Sequence, residues 1–115
     1  MITPSTCKEN HYYEYSSCRP PNAGGYRAEL TETVLFGDIW ARSELSPRER
    51  SLITLSALTA QGKTEQLPWH IALGYQNGLS REEIVELFTH LAFYAGWPAA
   101  ASALTCLNAQ EASCP

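Results

Sequence analysis

No stretch of this 115-residue chain approaches the roughly 20 consecutive apolar residues that a membrane-crossing helix needs. Its first residues, MITPSTCKENHYYEYSS, also lack the basic start and apolar run of an export signal. A soluble cytoplasmic protein is the expectation these absences leave. Clustered positive charge is missing too: eight Lys and Arg, scattered along the chain, face twelve Asp and Glu for a net charge of −4. A phosphate backbone is bound by grouped cations, so nucleic acid is excluded as a partner. Four cysteines, Cys7, Cys18, Cys106 and Cys114, sit at the two ends and form no Cys-x-x-Cys pair. They read as free thiols of a reducing compartment. The grouping Cys7, His11, Cys18 fits no usual zinc spacing, so no metal is expected. Nor is there any period-2 run of strand length, which removes a sheet from consideration.

What remains is helical. At 44% hydrophobic content the chain suits one domain with a modest core, near the size at which association helps. Residues 1–25 end in RPPNAGG and show no apolar period, so they read as an irregular arm. Tyr12, Tyr13, Tyr15 and Tyr26 give it something to bury. The helical domain is expected over 26–110, followed by a polar tail at 111–115. In YRAELTETVLFGDIWARSEL the apolar residues Leu30, Val34 and Ile39 share a side, with Gly37 as the expected break. Ser46-Pro47-Arg48-Glu49 is a capping box with proline at the first helical position, predicting a helix to about Gln61 and a stop at Gly62. The apolar residues of that helix, among them Leu52, Ile53, Leu55, Ala57 and Leu58, surround much of the cylinder, so it must be covered on more than one side. A third helix opens in TEQLPWH and closes at Asn77-Gly78. A second capping box, Ser80 to Glu83, starts a fourth helix running to Ala95 with Gly96 as its stop, and Pro98 begins a fifth. The fold class is all-α, with helix pairs joined by short turns.

Candidate chemistry centres on His70, beside Trp69 and ahead of Ile71, Ala72 and Leu73, where burial disfavours the charged imidazole unless an acid is near. Glu65 lies five residues before it, roughly 140° away on a continuous helix, so the two meet only where the backbone is not helical. Pro68 discourages helix at Leu67 and permits that. Gln66, four residues before His70, shares its face if the helix begins early. Arg50, in the first turns of the preceding helix, is either an ion-pair partner of a carboxylate or a functional cation. In the fourth helix Glu86, His90 and Tyr94 follow at four-residue steps with Trp97 beyond, opposite a core stripe of Ile84, Phe88, Leu91 and Ala95. A surface or interface pair is the plainer account of Glu86 and His90.

Residues 36–104 resemble the carboxymuconolactone decarboxylase family, within the alkylhydroperoxidase D-like superfamily. The resemblance rests on GDIWAR, RERSL, EQLPWH, the NGLS turn with the following EE, and HLAFYAGWP, in that order. It implies an alkylhydroperoxidase D-like all-helical fold, homo-oligomers that are trimers or hexamers with sites near subunit interfaces, and cofactor-free decarboxylation of a small carboxylate or lactone in aromatic compound degradation. His70 is then the proton donor and Arg50 the carboxylate clamp or electrostatic stabiliser. Glu65 or Gln66 orients His70, while Trp40, Trp69, His90, Tyr94 and Trp97 are substrate-binding candidates. Redox members keep their thiol pair at the positions held here by Lys63 and Gln66, and their proton-feeding acid near Ser51. An antioxidant working through this site is therefore disfavoured, since no internal disulfide can form there. Decarboxylase members often carry Glu where this chain has Gln66. A non-catalytic oligomeric binding or scaffold protein is the other alternative.

Overall fold

The computed structural model of the chain describes residues 25–113. The arm with Cys7, His11, Cys18, Tyr12, Tyr13 and Tyr15, and Cys114 at the other end, lie outside the described residues. Helix α1 (Gly25–Leu30) runs straight into a π-helical segment, Thr31–Ile39. Four α-helices follow: α2 (Pro47–Gln61), α3 (Leu67–Gln76), α4 (Arg81–Ala92) and α5 (Trp97–Ser113). There is no strand among the described residues.

Both expected capping boxes form. The Ser46 hydroxyl accepts from the Glu49 N–H at 3.1 Å while the Ser46 N–H donates to Glu49 Oε1 at 2.8 Å, and Ser80 and Glu83 repeat the exchange at 3.1 and 3.0 Å. These bonds satisfy donors that a helix start would otherwise leave open. Helix α2 stops at Gly62, whose φ of +70° is left-handed and costs a side chain dearly. Two boundaries differ from expectation. Helix α4 ends at Ala92, and Phe93–Ala95 form a turn before Gly96, while α5 starts one residue ahead of Pro98.

The break expected at Gly37 does not occur. The helix passes through it by widening, and the Trp40 N–H donates to the Leu35 carbonyl five residues back at 2.8 Å. A Cβ at Gly37 would lie 2.9 Å from the Glu32 carbonyl oxygen, so only glycine permits so tight a wide turn. Widened turns are frequent at functional sites, and Trp40 follows this one directly.

Helix α2 touches α3, α4 and α5, yet the expected cover on more than one side is incomplete in the single chain, where Ile53, Ala57 and Ala60 are exposed. The fully buried stripe is Ser51, Leu55 and Thr59, whereas Ile53 is 54% exposed. Leu55, Leu67, Ile71, Leu79, Ile84, Phe88, Ala103 and Leu107 form the core. Ile84 and Phe88 are the expected inner face of α4, with Leu91 and Ala95 only half-buried at its end. Polar ties reinforce the packing: the Asn77 amide donates to Ser51 Oγ at 3.0 Å, Arg48 pairs with Glu83, and Arg81 Nη2 donates to Asn108 Oδ1 at 3.0 Å.

Candidate functional site

Helix α3 presents His70 one turn after its start, with the His70 N–H on the Gln66 carbonyl at 3.3 Å. Three aromatic rings converge around it. Trp69 meets the imidazole edge-on at 4.8 Å between ring centres and 85° between planes. Trp40 lies nearly parallel to it, 6.4 Å away at 22°. Phe36 packs on Trp40 at 5.7 Å and 29° and on Trp69 at 5.7 Å and 69°, closing the group. Trp40 follows directly on the widened turn through Gly37, its N–H on the Leu35 carbonyl.

These rings strip water from the imidazole. His70 Nδ1 is buried without a hydrogen-bond partner, and burial pushes the imidazole down from 6.5 to about 4. At neutral pH the resting imidazole is therefore uncharged. Glu65 and Gln66 are exposed in the turn ahead of α3, and neither orients His70 through Nδ1. Pro68 thus opens the helix without folding Glu65 back onto the ring.

Arg50 reaches from α2 to the segment that follows Trp40, in a cleft whose lining does not include His70. Its Nη2 donates to the Arg42 carbonyl at 3.3 Å, two residues beyond Trp40, while its Nε is buried without a partner. Arg42, Ser43, Glu44, Leu45 and Arg50 line an open cleft of about 650 Å³. The Trp40–Arg42 segment therefore carries the imidazole's stacking partner at one end and the guanidinium's anchor at the other. A partly exposed guanidinium and a neutral imidazole, each in contact with residues 40–42, supply groups that can hold a carboxylate and exchange a proton with it.

The fourth-helix candidates form a second aromatic group. His90 stacks on Tyr94 at 4.9 Å and 27°, and Phe93 meets Trp97 edge-on at 5.7 Å and 87°. Tyr94 and Trp97 are 79% and 68% exposed, so in the single chain they are surface rather than wall. Sequence reasoning missed Phe36 and Arg42. Phe36 had a signal, since it stands four residues before Trp40 on one helix face. Arg42 had one as well, since it stands four residues after Asp38. Cys106, the free thiol among the described residues, is pushed up by burial, and its Sγ sits 3.8 Å from the Thr64 carbonyl oxygen.

Residues 28–109 match the Carboxymuconolactone decarboxylase family. Over 69 residues the chain is 36% identical to the 4-carboxymuconolactone decarboxylase of Acinetobacter baylyi, a stretch covering 60% of this chain and 52% of that protein. Over 76 residues it is 33% identical to the nitrosuccinic acid decarboxylase of Metarhizium robertsii, covering 66% and 53% respectively. The chain spans about half the length of the curated relatives it matches.

Proposed function

Because the chain belongs to the carboxymuconolactone decarboxylase family, we propose that it is a decarboxylase of small carboxylic acids or carboxy-lactones that works without a cofactor, as a homo-oligomer. The observation that carries this reading is the Trp40–Arg42 segment, with the water-stripped His70 against Trp40 and Arg50 held on the Arg42 carbonyl. Two relatives that bear decarboxylase names support it.

The chemistry follows from what each group can do. Breaking the bond to the leaving carboxylate releases carbon dioxide and leaves an electron pair, which delocalises towards a conjugated carbonyl or nitro oxygen of the substrate. The Arg50 guanidinium anchors a substrate carboxylate, and its N–H donors also stabilise that oxygen. The carbon then takes a proton. A neutral imidazole is a poor acid, so His70 must first be charged, and the arriving carboxylate does this by favouring the imidazolium in a dry site. Proton and substrate therefore enter together, and solvent recharges His70 after each turnover. Trp40 and Trp69 wall the reacting centre, and Glu65 or Gln66 acts at most on the rim.

The test is carbon dioxide release from a panel containing 4-carboxymuconolactone and nitrosuccinate, with the wild type set against His70→Asn. Loss of the proton donor should lower turnover by about 10²–10⁴-fold. A His70→Asn protein with undiminished turnover, or a wild type that decarboxylates nothing in the panel, defeats the proposal.

A further inference from the structure

Arg42 lines the cleft with Arg50 but is not free in this structure. It forms a two-pronged pair with Asp38 of the π-helical segment, Nε to Oδ1 and Nη2 to Oδ2, each at 3.1 Å. Both side chains are more than half exposed, 53% and 55%, so water and salt screen the pair and a competing anion can displace it. Asp38 presents to Arg42 the same planar fork that any carboxylate ligand would present. The fork is one residue from Ile39 and two from Trp40, the ring that faces His70. Arg50, by contrast, is pinned by the Arg42 carbonyl and keeps a buried, unpartnered Nε whatever Arg42 does.

We propose that Arg42 is the specificity-determining residue for a second carboxylate, held in reserve by Asp38 and handed to the ligand when a diacid enters the cleft. This deepens the decarboxylase reading and rests on its use of Arg50 as the first carboxylate anchor. With Arg42 engaged by Asp38, the remaining charged groups of the lining are Arg50 and Glu44, one of each sign. A monoacid is served by Arg50 alone. A diacid brings a second negative charge near Glu44, and exchange of Arg42 from Asp38 to the ligand compensates it. The site thus prefers diacids by recruiting a cation rather than by shape alone.

Binding is measured by calorimetric titration of the full chain with succinate and with its monoacid counterpart butyrate, so that turnover is not needed. Arg42→Gln should weaken succinate about tenfold, the value of one charge-assisted fork, and change butyrate less than about twofold. Asp38→Asn, which releases Arg42 without removing it, should tighten succinate about twofold. Arg50→Gln should weaken both acids. Equal weakening of the two acids by Arg42→Gln, no weakening of either, or a wild type that binds neither acid overturns the proposal. Diacid preference that depends on Arg42 in a protein releasing no carbon dioxide upholds this inference and defeats only the decarboxylase reading. Carbon dioxide release with an indifferent Arg42 does the reverse.

Discussion

Acidification from pH 7.5 to 5 should destabilise the folded chain chiefly through His70. Its imidazole titrates near 6.5 in the unfolded chain and near 4 in the folded one, because burial among Trp40, Trp69 and Phe36 penalises the charged form. Above pH 6.5 neither state binds the proton and His70 leaves stability untouched. Between pH 6.5 and 4 the unfolded state binds a proton that the folded state refuses, so unfolding gains as pH falls. The full loss over that window is about 3 kcal/mol, and the part reached by pH 5 is about 2 kcal/mol. Urea denaturation at fixed protein concentration should show this as a midpoint lower by about 1–2 M at pH 5. His70→Asn and His70→Leu lack the titrating group, so their midpoints should change only as far as the shared carboxylates dictate. Wild type and both variants losing the same stability between pH 7.5 and 5 would refute the claim that His70 is buried neutral. Proton uptake on carboxylate binding is the companion effect, because the ligand restores the charge that burial removes.

Two further substitutions separate the core from the segment that aims Trp40. Phe88→Ala empties the largest fully buried side chain and should cost about 3–5 kcal/mol in urea denaturation, with the near-native spectrum of the folded state retained. Gly37→Ala places a methyl group 2.9 Å from the Glu32 carbonyl, so the wide turn must change and Trp40 must leave the His70 face. The π-helical segment holds no buried residue, so its global stability should fall by less than about 1 kcal/mol while near-ultraviolet circular dichroism and turnover both drop. A Gly37→Ala protein with wild-type aromatic dichroism would show that the turn does not position Trp40.

Helix starts were legible because they are local. Ser46 with Glu49, and Ser80 with Glu83, make their bonds across three residues, and nothing distant is needed to form them. The same holds for the stop at Gly62. Gly37 misled for the opposite reason: glycine breaks helices by propensity, yet it is also the residue that tolerates a carbonyl pressed against its α-carbon. Sequence spacing alone cannot distinguish a break from a widening. For the site, His70, Arg50, Trp40 and Trp69 were legible as residue types, but their grouping was not. Glu65 was a candidate by proximity along the chain, and its place in an exposed turn was decided by where α2 ends and α3 begins.

By itself the sequence determined the all-helical class, the helix starts and the family, because caps, periodicity and ordered motifs are properties of neighbouring residues. Only the tertiary structure decided that His70 is desolvated against Trp40 and Trp69 and that Arg50 of α2 reaches the Arg42 carbonyl. Those are properties of desolvation and of how separate segments pack against one another, which no pattern of neighbouring residues sets.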